Sequence, residues 1–271
     1  MHASQRVALL SQAEKLRRNL AGDAATDNAH VPLIDELHAL VVTGDYKSAH
    51  TKLRSAKIAP EVKTAIIGAF NEHWLSELKI EWTNHGILRS FRFWPPETKA
   101  RYLQETKALL EALKDISPHV CLGFGSVLAL VRDRDFIPHD DDMDTLIAFD
   151  CTTIKSLKEG RTLVAEQLSK AGYSATGDYF SHWNVRKGQT AAIDVFVGLI
   201  EADRVSWFPS ARKSLLASDV FPPIKAKLLG IELDIPRNPF AYLESTYGLD
   251  WDRPIPNWNH PWNKSEYADI A

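Results

Sequence analysis

The densest chemistry in this sequence is the run Phe136-Ile137-Pro138-His139-Asp140-Asp141-Asp142-Met143-Asp144. Asp142 and Asp144 stand two apart at the start of an apolar stretch, so on a β-strand their side chains share one face. Crowded carboxylates repel, and a divalent cation among them relieves that repulsion. An all-oxygen set suits Mg²⁺ or Mn²⁺, with phosphate oxygens completing the coordination. Asp140 and Asp141 belong at the rim of such a site, within reach of a second ion or a donor hydroxyl. The competing reading is a solvated acidic loop, the usual fate of such runs.

A third carboxylate, Asp194, sits in the apolar segment Ala191-Ala192-Ile193-Asp194-Val195-Phe196-Val197. Burying it there is expensive unless it is paired or bound to metal. Upstream, Gly125-Ser126 falls between a predicted strand and a short helix. Glycine permits close approach of a phosphate to the backbone, and Ser126 would cap the helix or donate to a phosphate oxygen. Arg132 closes that helix, as a bidentate phosphate clamp or as an ion-pair partner of Asp133 or Asp135. These residues describe metal-assisted chemistry on a phosphate ester.

Further candidates carry weaker arguments. His139 adjoins the acidic run and reads as structural. His182, Trp183 and Arg186 lie on a predicted strand, where Trp183 is a base platform or a core residue. Lys225 and Lys227 are phosphate neutralisers or solvated lysines. Trp251, Trp258, His260 and Trp262 form either a sugar platform or a closing aromatic block.

The elements that must position these groups are α/β. Apolar spacing makes the first ninety residues helical, with Leu33, Ile34, Leu37, Leu40 and Val41 on one face and Val62, Ile66, Ile67, Phe70 and Trp74 on another. Tyr46, Ala49 and Leu53 share a side between them. Pro95-Pro96 marks a break, giving a helical region 1–94 and a catalytic domain 95–271. Beyond it the pattern predicts a helix with Tyr102, Thr106, Leu109, Leu110 and Leu113 inward, strands at His119–Phe124, Met143–Phe149 and Ala191–Ile200, and helices at Ser126–Arg132 and Ile154–Leu168. Asn238-Pro239 opens a last helix that Gly248 ends.

Composition narrows the function classes. The 271 residues are 45% hydrophobic and 25% charged, enough to bury a core without metal or disulfide staples. With a net charge of −3 and no dense Lys/Arg stripe, a nucleic-acid partner is disfavoured. The two cysteines, Cys121 and Cys151, make neither a disulfide framework nor a zinc site. No signal-peptide pattern and no apolar stretch of membrane-spanning length occur, so a cytoplasmic location is expected.

The motif set Gly-Ser, short helix, Asp-x-Asp and later strand Asp resembles the polymerase-β-like nucleotidyltransferase superfamily. More narrowly, GSVLALVRDRDFIPHDDDMD resembles the LicD/fukutin signature, a Gly-Thr-Leu-Leu-Gly-Ala-Val-Arg-like helix followed by Phe-Ile-Pro-Trp-Asp-Asp-Asp-Ile-Asp. The likeness continues through IDVF at Asp194 and IPRNPFAYLESTYGLDW, and spans roughly Lys99 to Trp262. His139 replaces the family's tryptophan, Ala129-Leu130 its Gly-Ala, and Asp133-Arg134-Asp135 a His-Gly-Gly-like turn. The resemblance implies a nucleotidyltransferase-fold mixed sheet flanked by helices. It also implies transfer of phosphocholine or a phosphorylated alditol from a CDP-linked donor to a glycan. Asp142, Asp144 and Asp194 then match the metal carboxylates, Gly125-Ser126 the phosphate turn and Arg132 the signature arginine. A true nucleotidyltransferase and a non-catalytic adaptor acting through the N-terminal helices, a candidate surface for a protein partner, are the alternatives.

Overall fold

The computed structural model describes residues 30–255, 260 and 263–271; the amino-terminal stretch, where no signal-peptide pattern is expected, lies outside them. Two compact units emerge. The described residues up to Phe93, together with His139–Asp141, form the first; Trp94–Pro138 and the described residues from Asp142 onward form the second.

The first unit opens with three helices, α1 (Val31–Val42), α2 (Tyr46–Ser55) and α3 (Pro60–Phe70). Proline in the first turn of α1 and α3 removes a donor that a helix start leaves unpaired anyway, and the Asp45 carboxylate caps α2 by accepting from the Ser48 amide at 3.1 Å. Ile34, Leu37, Val41, Ala49, Leu53, Val62, Ile66, Phe70 and Trp74 form one core, on the faces that the apolar spacing assigns. The purely helical expectation fails at residues 81–88. There β1 (Glu81–Thr83) and β2 (Gly86–Leu88) form an antiparallel hairpin. Three-residue strands are too short to show an alternation; tertiary contacts make them. Trp82 and Ile87 pair across the ladder and enter the helical core. The Asn71 side chain accepts from the Trp82 amide at 2.6 Å and donates to its carbonyl at 3.0 Å.

The second unit is built on a seven-stranded mixed sheet. Its strands are β3 (Val120–Leu122), β4 (Asp144–Asp150), β5 (Ser174–Thr176), β6 (His182–Arg186), β7 (Ile193–Glu201), β8 (Arg204–Ser206) and β9 (Leu215–Leu216). The order is β3-β4-β7-β6-β5, with β8 pairing β7 and β9 pairing β8. β4 and β7 run parallel, and the other pairs are antiparallel. β7 is central: β4 lies along its length, and β6 and β8 divide its other edge. Eight of its nine residues are buried, which explains a run of β-branched and apolar side chains instead of an alternation.

Helix α4 (Pro96–Lys114) buries Tyr102, Leu103, Thr106, Leu109, Leu110 and Leu113. The segment after β3 is α5 (Phe124–Leu128), continued by a π-helical turn Ala129–Asp133. Helix α6 (Leu157–Lys170) starts three residues later than the spacing suggests, because the Ser156 side chain caps it. Gly160, unfavourable for a helix in isolation, is where α6 lies closest to the sheet. A Cβ there would meet Val197 at 2.8 Å and Phe149 at 3.3 Å. A short helix α7 (Ala217–Val220) and a separate hairpin, β10 (Ile224–Leu228) with β11 (Ile231–Ile235), follow. Helix α8 (Pro239–Tyr247) is capped by the Asn238 side chain at the Ala241 amide, 3.2 Å, and ends at Gly248 with φ 91°. Among the described residues no helix is long and apolar enough to cross a membrane.

Candidate active site

Asp144 is the first residue of β4, and its partner in the parallel ladder is Asp194 on β7. Neighbouring strands lie about 4.8 Å apart, so two carboxylates in register on one face are close enough to share an ion. Asp142 lies two residues before Asp144, just outside the strand, with buried Met143 between them. The backbone locks this register. The Asp194 amide donates to the Met143 carbonyl at 2.8 Å, and the Thr145 hydroxyl donates to the Asp194 carbonyl at 3.0 Å. Helix α6 packs on the face that bears Phe149 and Val197, opposite to the carboxylates by the period-two rule.

The turn after β3 is stapled to the same strand. The Gly123 amide donates to the Asp144 carbonyl at 3.0 Å, and the Asp144 amide donates to the Ser126 hydroxyl at 2.7 Å. Ser126 is buried and its own proton points to the Met143 sulfur at 3.5 Å. It is not the helix cap: the cap position is Gly123, with no side-chain cap bond, and Ser126 lies inside α5. The hydroxyl is drawn to the backbone of Asp144, and this positions the strand head. Gly125 also lies within the helix; the left-handed residue of the turn is Phe124, with φ 39°. Such a conformation costs about 1–3 kcal/mol in a non-glycine residue and persists only where its surroundings hold it. Here the Phe124 amide donates to the buried Tyr242 hydroxyl at 2.9 Å, and its ring packs on Phe196 at 4.6 Å.

Tyr102 of α4 reaches the heads of both strands. Its hydroxyl accepts from the Met143 amide at 3.0 Å and donates to the Ala192 carbonyl. Burial, and with it the charges of Asp142, Asp194 and Asp144, push this phenol well above its ordinary pKa, so one buried hydroxyl feels all three carboxylates. Replacing Tyr102 by phenylalanine leaves an amide and a carbonyl without their partner. We expect a loss of about 2–6 kcal/mol, from about 1–3 kcal/mol for each of the two unsatisfied groups, measured as a lowered denaturation midpoint. A loss below about 0.5 kcal/mol, the range of neutral surface changes, would contradict the bridging role.

Asp194 is flanked on β6. The Asn184 amide donates to its Oδ1, and the His182 Nε2 lies 3.6 Å from its Oδ2. The His182 ring is stacked between Tyr179, at 4.2 Å, and Phe196, at 4.5 Å. Burial, then the Arg161 charge, lowers its pKa to about 4, so the imidazole is neutral at physiological pH.

Residues 119–238, which hold both strand heads, the turn and β6, match the family described as LicD/FKTN/FKRP, nucleotidyltransferase domain. That stretch, less than half of the chain, is what is similar to the LicD family. Comparison with curated proteins returns no significant match. Among solved structures, the chain is similar to ANT(2")-Ia in complex with adenylyl-2"-tobramycin, at 11% identity and a TM-score of 0.38, over 62% of this chain and 86% of that one. A likeness of that size carries no functional argument.

The other predicted residues are described by their partners. Arg132 takes the ion-pair alternative: its Nη2 lies 2.8 Å from Asp133 Oδ2, and its Nη1 donates to the Trp251 carbonyl at 3.4 Å. Asp135 receives Lys99 at 3.3 Å. Trp183 is not open on both faces, because the Arg161 guanidinium lies 3.9 Å over its ring and its indole donates to the Arg161 carbonyl. Lys225 pairs with buried Asp234 at 2.9 Å, and Lys227 is exposed on the same strand. Arg186 ends β6 and is exposed. Trp251 packs on Phe240 and His260 on Phe124; Trp258 and Trp262 lie outside the described residues.

Asp140 and Asp141 belong to the first unit, where exposed His139 also lies. The Phe91 amide donates to the Asp140 carbonyl at 2.7 Å. His85, in the hairpin turn between β1 and β2, places Nδ1 2.8 Å from Asp141 Oδ1 and 4.0 Å from Asp140 Oδ1. Ligand atoms of these three residues lie within 4.8 Å of one another, a set able to hold a metal ion. Sequence reasoning missed His85, which stands 55 residues before the acidic run in a stretch read as helix. Asn184 was also missed, since only strand pairing brings it to Asp194.

Proposed function

We propose that the LicD-family domain transfers a substituted phosphoryl group, of phosphocholine or phospho-alditol type, from a CDP-linked donor to a glycan hydroxyl, with release of CMP. The observation that carries this reading is the in-register pair Asp144 and Asp194, with Asp142 two residues before the strand and its charge acting on the same buried Tyr102 hydroxyl. An all-carboxylate set at the heads of parallel strands fits a hard divalent cation, Mg²⁺ or Mn²⁺. Such an ion neutralises pyrophosphate charge and aligns an in-line displacement.

The residues then take distinct roles. Asp142 and Asp144 hold the metal against the donor. Asp194, as a metal ligand or general base, accepts the proton of the glycan hydroxyl as that oxygen bonds to the substituent-bearing phosphorus. The bond from this phosphorus to the bridging oxygen breaks, and CMP departs with the electron pair. The segment after β3, whose buried Ser126 hydroxyl accepts from the Asp144 amide, borders the donor side of this set. In this reading catalysis belongs to residues 95–271, region 1–94 engages an acceptor or protein partner, and the protein works in the cytoplasm.

The test uses the full chain with cytidine, uridine, adenosine and guanosine diphosphates and their conjugates, with and without Mg²⁺ or Mn²⁺. CDP conjugates should raise the unfolding temperature only with metal; saturation at 100 times Kd corresponds to about 2.7 kcal/mol. Mass spectrometry of the acceptor should show the donor's phospho-substituent. An acceptor that gains a nucleoside monophosphate would make the protein a true nucleotidyltransferase, and absence of any metal-dependent nucleotide binding would leave a non-catalytic adaptor.

A further inference from the structure

We infer that Asn184 is a positioning residue that fixes the Asp194 carboxylate for metal binding, an inference that rests on the metal-centre reading above. Asn184 and Asp194 are direct partners in the antiparallel ladder between β6 and β7. The Asn184 amide donates to Oδ1, so the carboxylate plane is set from one side. On the other side stands the His182 ring, 3.6 Å from Oδ2 and itself wedged between Tyr179 and Phe196. The Asp194 backbone is held independently by the Met143 carbonyl and the Thr145 hydroxyl. Asn184 therefore acts on the side-chain rotation that backbone pairing leaves open.

The chemistry of the partner matters as much as its place. A lysine or arginine beside Asp194 would neutralise the charge a cation needs and compete with it. Asparagine is uncharged and donates one proton, which orients the carboxylate and leaves its negative charge for the ion. A carboxylate offers about four lone-pair directions over two oxygens, and the Asn184 bond takes up one of them, on Oδ1. Such outer partners commonly change metal affinity by about 10–100-fold when removed.

Mn²⁺ is the probe, and free Mn²⁺ is read by electron paramagnetic resonance in titrations of the full-length protein. Asn184→Ala should weaken Mn²⁺ binding about 10–100-fold, and Asn184→Leu, which fills similar space without a donor, should do the same. Adding either change to Asp194→Asn should weaken binding no further than Asp194→Asn alone, because the effect passes through that carboxylate. Metal-free melting of the Leu variant should stay close to wild type, which separates the role from general support of the sheet. Wild-type affinity in the Leu variant, or additive losses in the double variant, would overturn the inference while leaving the metal centre standing. Wild-type protein that binds no Mn²⁺ would instead remove the metal-centre reading itself.

Discussion

Asp144→Asn is expected to lower the transfer rate by about 10³-fold, because stabilisation of developing charge by a metal is worth several kcal/mol and about 1.4 kcal/mol is a factor of ten. Asp144 is the residue through which both neighbours act. Asp194 faces it across the parallel ladder, and the Asp144 amide donates to the Ser126 hydroxyl. Asparagine keeps the shape and the backbone bonds but removes one negative charge. Carboxylates crowded on one face repel, so the metal-free variant should melt at the wild-type temperature or above it. Activity assays with a CDP-linked donor and scanning calorimetry of metal-free protein check the two halves. Near-normal Mg²⁺-dependent turnover would sink the assignment of Asp144 as a metal ligand.

Gly198→Ala should produce a large loss of stability. Gly198 lies in β7 opposite Ala148 of β4, and a Cβ there would meet the Trp207 ring at 2.4 Å and the Ser206 carbonyl oxygen at 2.6 Å. The indole belongs to the buried core, and the carbonyl is backbone of the paired strand β8, so neither can swing aside. Overpacking typically costs about 1–3 kcal/mol, and a clash with backbone belongs at the upper end. Chemical denaturation should show the second unit unfolding at lower denaturant, with turnover per folded molecule unchanged. A shift under about 0.5 kcal/mol, the range of neutral surface changes, would mean that the close approach of Trp207 is wrong.

Much of the second unit is legible along the chain. The Asn238-Pro239 start and Gly248 end of α8 are local signals, because capping and a positive φ depend on two or three adjacent residues. The inward set of α4 follows from helical spacing alone. Asp142, Met143 and Asp144 display their alternation directly. The hairpin of β1 and β2 is not legible, since its strands are three residues long and owe their pairing to Trp82 in a core made by distant helices. Ser126 illustrates a second limit. A serine after glycine reads equally as a cap, a phosphate donor or a tether, and only the fold shows its oxygen receiving the Asp144 amide.

The sequence by itself determined the secondary elements with strong period or capping and the LicD-type motif, together with the two strands that carry Asp144 and Asp194. All of these depend on residue types within a few positions of one another. Only the tertiary structure decided that these strands run parallel with Asp144 beside Asp194, that Asn184 and His182 flank the second carboxylate, and that His85 meets Asp140 and Asp141. Register between strands fifty residues apart is set by hydrogen bonds and packing that no local propensity encodes, and it alone turns separate aspartates into neighbours.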